Sequence, residues 1–484
     1  MIQADGARSC DTLIKGIVIT TDPARRVFTD GFVAIKDGKI AAVGRASESD
    51  WKASGETLDG DLVVMPGLVN THAHLVQGNI RGMAEGTTFE ERLFGFYYPM
   101  MAACDEDEAY TSAMPPVLEM VRSGITTTQD AHFAHVDKRS IDGVLRAIKD
   151  VGIRCRMTRQ VINDDDTSPA NYHEDLDTAI REVERVKKDW DSDTIRVTTG
   201  PLGIAYIRFE DIGPLFEWTK SNNSQFDLHI PTYMDRKFLK QRGWDKGSYE
   251  WLYSRGMMDH NTLLVGGGGT VEGEMEMIAK AGASVSVHAD AIFPSQKSEV
   301  RDFLERGVTV ALGIDGPVIA YHQNLWYLMR HVCGIQRLAD RLADPSSTFD
   351  QANQFGGPEL ALELGTVYGA RALGWADDIG SLEVGKEADL LLLDLAEAVH
   401  LTPSAALVNN LIYCGGANQE VIKHVYVRGR KVVDDGRVVN VDVRKAVAAA
   451  NKQQLEQLEE TGSAKWINKK TTWNWIGDKP AVPV

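Results

Sequence analysis

Pro66-Gly67-Leu68-Val69-Asn70-Thr71-His72-Ala73-His74 is the stretch on which the reading of this chain turns. An apolar run meets a Pro-Gly break, a second short apolar run follows, and two histidines end it two positions apart. Residues i and i+2 of an extended strand point to the same side. His72 and His74 can therefore aim both imidazoles at one point, and neutral imidazole is the commonest metal ligand. A metal held at the end of a strand makes the chain an enzyme candidate. Two ordinary loop histidines have the same spacing, so the decision rests on what lies on either side.

Before the motif, residues 12 to about 64 read as β-structure: the strand-like runs 13–19 and 31–35, the hairpin signal Asp37-Gly38, and the run 39–44. The far end echoes this with the runs 388–394, 421–429 and 431–439. The simplest account is one small β-sandwich built from both chain ends, residues 1–64 and 381–442. The middle, 65–380, alternates apolar strand-like runs with helix-length amphipathic segments. The runs are 124–128, 153–157, 194–199, 226–230, 262–265, 283–287 and 308–313. With the strand that ends at His72 they number eight, which fits a (β/α)8 barrel, so the class is α/β with a TIM-like barrel inserted in the sandwich. The remainder, 443–484, reads as a helix to about Glu460 and then a stretch with Trp466, Trp473 and Trp475, read as packing against the body or a subunit partner.

Composition bounds the function. The 484 residues carry a formal net charge of −17, which argues against nucleic-acid or anionic-membrane partners. The five cysteines (Cys10, Cys104, Cys155, Cys333, Cys414) are scattered with no C-x-x-C pair, as expected of reduced thiols in a cytoplasmic protein. No apolar signal region is visible at the start and no run approaches a membrane span.

Barrel enzymes carry their chemistry at the C-terminal ends of the strands. His72 and His74 end the first, His229 sits near the end of the fifth, and Asp315 ends the eighth. Three neutral imidazoles and one carboxylate suit one divalent ion, zinc or ferrous iron, with a position left open for water. Asp315 is also placed to take a proton from that water.

The opening motif, followed by Gln77 and Arg81-Gly82, resembles the start of the amidohydrolase superfamily, in the branch of triazine hydrolases, guanine deaminase and adenosylhomocysteine deaminase. Three more segments match in order: Gly124 to Thr128 with Asp130, Gly307 to Gly316, and Tyr368 to Gly374 running on through Ile379 to Leu390. The resemblance covers about residues 12 to 440. It implies the barrel-and-sandwich fold, a mononuclear metal held at His72, His74, His229 and Asp315, Gln77 facing the substrate, and a homo-oligomer, dimer or tetramer.

The proton-transfer positions depart from the family. Thr232 stands where many members have a glutamate, and a threonine hydroxyl cannot shuttle protons near neutrality. Gly266 takes the place of the sixth-strand histidine, and Leu202 that of a fourth-strand histidine of purine deaminases. His288 lies near the end of the seventh strand with Asp290 beside it, and His132 follows Asp130 on the second. His288 and His132 are the candidate catalytic replacements beside Asp315; His135 is a weaker one. In the segment after the first strand, Phe94, Phe96, Tyr97 and Tyr98 either wall an apolar ligand or pack as a barrel cap. Gln77, Thr232, Asp130, Phe94 and Tyr97 are the candidate substrate contacts.

The expected function is metal-dependent hydrolysis of a C–N bond or ring substituent of a small, mostly neutral molecule, heteroaromatic rings included. The missing glutamate and histidine motivate an alternative, a metal-dependent lyase or isomerase. A binding protein that kept the fold is disfavoured, because a decayed site has no reason to keep four ligands.

Overall fold

The computed structural model describes residues 8–230, 233–266, 269–288, 299–343, 357–414 and 419–467. Five strands come from the start of the chain: β1 (Arg8–Ile19), β2 (Val27–Lys36), β3 (Lys39–Arg45), β4 (Trp51–Leu58) and β5 (Leu62–Pro66). Eight form the middle: β6 (Leu68–Asn70), β7 (Ile125–His132), β8 (Arg154–Val161), β9 (Ile195–Pro201), β10 (Phe226–Ile230), β11 (Thr262–Gly266), β12 (Ser284–Val287) and β13 (Thr309–Leu312). Four return to the first group: β14 (Leu390–Asp394), β15 (Ile422–Val427), β16 (Arg430–Asp434) and β17 (Arg437–Val438).

The terminal strands make one nine-stranded mixed sheet in the order β17-β16-β15-β14-β5-β1-β2-β3, with β4 paired parallel to β1. The first and last thirds of the chain meet where β14 runs antiparallel to β5, with Leu392 opposite Val64. Ile14, Val18, Val33, Ile35, Val64, Leu390 and Leu392 form the core of this sheet. Each such side chain, once buried, is worth about 1.5–3 kcal/mol. β4 was not among the runs read from the sequence, because Trp-Lys-Ala-Ser-Gly-Glu-Thr-Leu is a mostly polar strand with little buried area.

The eight middle strands form a parallel barrel in sequence order, β6 through β13. Every one of the eight apolar runs became a strand, with small shifts at the ends. Gly67 is the hinge between sandwich and barrel. A Cβ there would lie 2.1 Å from Thr126 Oγ1, so only glycine lets β5 run directly into β6. The barrel's lower interior is filled by Val69, Leu263, Val265 and Ala311, capped by Ala370, Leu373 and Trp375 from the segment returning to the sandwich.

The first strand stops at Asn70, so His72 and His74 lie in the turn beyond it. The Asn70 side chain ends the strand by bonding sideways: Nδ2 donates to Thr128 Oγ1 (3.0 Å) and Oδ1 accepts from Ile314 N (2.9 Å). The barrel closes at that point. Thr71 N donates to the Leu312 carbonyl at 2.9 Å, and the His72 carbonyl accepts from Ile314 N and Asp315 N at 3.1 and 3.0 Å. Closing the barrel therefore seats Asp315 beside His72.

The helix Val443–Glu460 lies against the segment that follows His74. Gln453 Nε2 donates to Ser112 Oγ (2.9 Å), Gln454 Nε2 to the Asn79 carbonyl (2.6 Å), and Asn79 Nδ2 to Gln457 Oε1 (2.8 Å). Trp466 packs on Phe96 and over Gly95, where a Cβ would meet the indole at 2.5 Å. Trp473 and Trp475 lie outside the described residues.

Candidate metal centre

His72, His74 and His229 offer ligand nitrogens that all lie within 4.8 Å of one another. His229 Nε2 is 2.9 Å from His72 Nε2 and 3.3 Å from His74 Nε2. Asp315 Oδ1 completes the set at 3.8 and 3.6 Å from the same two nitrogens. His72 is fully buried and His74 and Asp315 nearly so.

The other ring nitrogens define the tautomers. His74 Nδ1 donates to the Ala131 carbonyl at 2.6 Å and His229 Nδ1 to the Leu202 carbonyl at 2.9 Å. His72 Nδ1 donates to Gln129 Oε1 at 3.1 Å. With each Nδ1 carrying the proton, three Nε2 lone pairs and a carboxylate oxygen face one point with no hydrogen among them. Without a cation that arrangement is repulsive. Atoms each about 2.0–2.1 Å from a shared ion sit ~3 Å apart, which matches the nitrogen spacing here. The donor set therefore fits a divalent ion.

Titration points the same way. Burial, reinforced by the neighbouring imidazoles, holds His72 well below the ordinary histidine range. Burial likewise lowers His74, and it brings His229 down to about 3, so all three are neutral ligands at pH 7. Burial works against the charge of Asp315, but the hydrogen bond from His288, with the attraction of any neighbouring imidazole that carries a proton, outweighs it and holds the carboxyl far below the carboxylate range. The Asp315 backbone sits at φ +76°, an uncommon conformation for a non-glycine residue, held by its own amide and by Gln323 Nε2 donating to its carbonyl (3.1 Å).

His288 joins the cluster. Its ring stacks on His72 (centroids 4.9 Å, planes 7° apart) and its Nδ1 is 3.5 Å from Asp315 Oδ2. His288 Nε2 is buried with no hydrogen-bond partner among the described residues. Gln77 is buried at the edge of the site, its Oε1 against Gly316, where a Cβ would lie 1.8 Å from it. Tyr97 is buried too, and its hydroxyl feels both Arg92 and the Asp315 carboxylate.

Other sequence candidates lie elsewhere. His132 Nε2 bonds Ser140 Oγ at 2.9 Å, at the start of the outer helix Ser140–Val151, and the ring is turned away from the nitrogen cluster. Asp130 also faces outward, accepting from Leu75 N at 2.6 Å. Strand alternation explains both: Gln129, one position away from Asp130, is the residue that points inward. Phe94 is half exposed and packs on Tyr98, so it does not wall a buried site. His135 donates to the Tyr172 carbonyl at 3.1 Å, beside Glu174. Gly266 has φ +126°, and a Cβ there would lie 2.9 Å from the Ile230 carbonyl, so a histidine does not fit this backbone. Thr232 and Asp290 lie outside the described residues.

The sequence reading missed the support beneath the ligands. Gln129 Nε2 donates to Thr158 Oγ1 (2.8 Å) and Asp227 Oδ2 (2.9 Å) while its Oε1 orients His72. Partners of this kind orient metal ligands and are part of the site. Asp227 was findable, because it precedes His229 by two on the same strand. Gln129 was not, because all eight residues of β7 are buried and the strand shows no polar-apolar alternation to reveal its inner face.

The model of the amidohydrolase family matches residues 63–432. A 5-methylthioadenosine/S-adenosylhomocysteine deaminase of Syntrophobacter fumaroxidans is 30% identical over 89% of this chain and 94% of its own length. A 5'-deoxyadenosine deaminase of Methanosarcina barkeri is 28% identical over 92% and 98%. Among solved structures, an adenosine deaminase of Xanthomonas campestris with bound zinc superposes with a TM-score of 0.80 at 22% identity, covering 94% of this chain and all of that one. The atrazine chlorohydrolase of Arthrobacter aurescens in complex with zinc gives 0.81 at 24% identity, covering 92% of this chain and all of its own. At those identities the structural likeness speaks for the fold. Matched over most of its length, the chain belongs to the amidohydrolase family and is a hydrolytic enzyme of C–N bonds.

Proposed function

We propose that the chain hydrolyses an amide, amidine or ring-amine C–N bond, or a ring substituent, of a small, mostly neutral heteroaromatic molecule. In this reading one divalent ion, zinc or ferrous iron, is held by His72, His74, His229 and Asp315. The observation that carries it is the convergence of three Nε2 lone pairs whose Nδ1 protons are all committed to other acceptors. The ion's contribution is Lewis acidity, which makes water nucleophilic near neutral pH.

The chain's own groups do the proton work. Asp315 accepts the proton of the attacking water at its carboxylate. Asp315 then returns it to the leaving nitrogen, while His288, its Nδ1–H directed at Asp315 Oδ2 at 3.5 Å, orients the carboxylate and leaves Nε2 free to bond the leaving group. This pair replaces the glutamate and the sixth-strand histidine of other family members, whose places are taken by Thr232 and Gly266. Gln77 and Tyr97 orient the ring, with Thr232 as a further contact. His132 stays bound to Ser140 and serves packing. The deaminase relatives favour an exocyclic ring amine as the leaving group, and hydrolysis over elimination or isomerisation. The free cysteines and the absence, among the described residues, of any helix long and apolar enough to cross a membrane accord with a cytoplasmic enzyme; a homo-oligomer is expected from the family.

Metal analysis of the purified protein tests the site: about one ion per chain is expected, lost on His72→Ala. Turnover in oxygen-18 water tests the reaction: the label enters the product if water is the nucleophile. A protein without metal, or an unlabelled product, overturns the reading.

A further inference from the structure

The inner face of β8 carries four polar side chains in a column, and three of them are accounted for. At the bottom Arg154 pairs with Asp389 (Nε to Oδ2, 2.5 Å). Arg156 bonds the Leu373 carbonyl and lies 5.4 Å over the Trp375 ring. Thr158 accepts from Gln129, in the layer that orients His72. Gln160 comes next. Two residues further along a strand is the same face and ~6.6 Å higher, so strand geometry lifts Gln160 from the Gln129 layer to the level of the metal ligands.

Its neighbours agree with that height. Gln160 pairs with Gly200 on β9, a position with no side chain and no room for one, since a Cβ would lie 1.8 Å from the Asp227 carbonyl. Two residues past Gly200 is Leu202, whose carbonyl fixes His229 Nδ1. On the other side the register pairs Arg159 with His132, so the next step places Phe133 beside Gln160, and Phe133 meets His74 edge-on with centroids 5.4 Å apart. Gln160 thus lies between the surroundings of two ligand histidines.

The Gln160 side chain is fully buried, and neither its Oε1 nor its Nε2 has a hydrogen-bond partner among the described residues. An amide offers two donor hydrogens and two acceptor lone pairs, and leaving all of them unmade inside a protein is costly. Each of the other three inward polar side chains of this strand makes at least one hydrogen bond, although Arg156 Nε is left over; in Gln160 both polar atoms are left over. Residues that keep unmade hydrogen bonds at a site are suited to make them to a ligand.

We propose that Gln160 is a specificity-determining residue that reads the edge of the bound ring, pairing its carbonyl with a ligand N–H and its NH2 with an adjacent ring nitrogen. The ligand class is a heteroaromatic ring with an amidine-type edge, an amino group beside a ring nitrogen. This rests on the reading that the ring docks at the metal centre, and it concerns recognition rather than bond cleavage.

Equilibrium binding to the metal-loaded protein tests it, with 4-aminopyrimidine and 4-methylpyrimidine as probes, the second lacking the N–H. The wild type is expected to bind the amino ring at least tenfold more tightly. Gln160→Met, of similar shape but unable to pair, should bring that ratio to about one while metal content stays unchanged and the thermal midpoint holds or rises. Gln160→Leu, which likewise removes the acceptor and both donors, covers the case in which the methionine variant does not fold; it too should bring the ratio to about one. No preference in the wild type, or a preference that survives in the folded variants, overturns the proposal. Selective binding without any hydrolysis would leave this inference standing and remove the proposed reaction instead.

Discussion

Gln129→Met should separate the metal ligands from the layer that aims them. Gln129 makes three buried hydrogen bonds: it accepts from His72 Nδ1 (3.1 Å) and donates to Thr158 Oγ1 (2.8 Å) and Asp227 Oδ2 (2.9 Å). Methionine fills similar space and makes none of them. The freed imidazole can then rotate or change tautomer, and loss of such a partner costs roughly 10–100-fold in metal affinity. That is about 1.4–2.8 kcal/mol at 1.36 kcal/mol per factor of ten. Three lost bonds at about 1 kcal/mol each predict ~3 kcal/mol of lost folding stability. Gln129→Glu divides the two effects, because its carboxylate still accepts from His72 but no longer donates to Thr158 or Asp227. It should keep metal affinity within about threefold, far inside the 10–100-fold range, while losing stability. Metal competition against a chromophoric chelator measures the first quantity, and denaturant unfolding of the metal-free protein the second. A folded Gln129→Met protein with wild-type metal affinity would refute the claim that this layer aims His72.

The other expectations follow from burial and geometry. Burial pushes the Asp130 carboxyl up to about 7, only partly opposed by the Leu75 amide, against about 4 in an unfolded chain. The folded state therefore keeps a proton that the unfolded state gives up, and stability falls as pH rises from about 4 to about 7, by ~4 kcal/mol in all. Asp130→Asn removes the titrating group, so its stability relative to wild type should climb across that window and level off above it; equal midpoints at pH 4 and pH 8 would contradict this. Gly67→Ala should lower stability by ~2 kcal/mol or more, since the new methyl would lie 2.1 Å from Thr126 Oγ1, and an unchanged thermal midpoint would show that the junction can relax. His132→Ala should retain its metal and lose ~1–3 kcal/mol of stability, whereas His74→Ala should lose the metal; atomic absorption on both proteins distinguishes a packing histidine from a ligand. Phe94→Ala should stay within about 0.5 kcal/mol of wild type in stability and within twofold in kcat/KM, because the ring is half exposed.

The barrel could be read from the chain because each strand is a contiguous apolar run, and continuity is a local property. The ligand histidines were legible for a related reason. His72, His74, His229 and Asp315 all stand at or just past strand ends, and the ends of apolar runs are visible in the sequence. The assignment was weakest along β7. Asp130 and His132 attract attention as titratable groups, yet one holds the Leu75 amide and the other Ser140 of an outer helix, while the unremarkable Gln129 just before them faces His72. A strand buried on both sides writes no alternation into its sequence, so its inner face cannot be chosen without its neighbours.

The order of residues along the chain suffices for the α/β class, the eight-stranded order, the joining of the chain's two ends in one β-domain, and the residue types able to hold an ion. These follow from local hydrophobic patterning and from the chemistry of imidazole and carboxylate. Packing in three dimensions set which polar residues face inward, that each ligand Nδ1 is committed to Gln129, Ala131 or Leu202, and that Gln160 has no partner among the described residues. Those facts depend on the register between strands distant in sequence and on closure of the barrel at His72 and Asp315, and no local stretch of the chain encodes them.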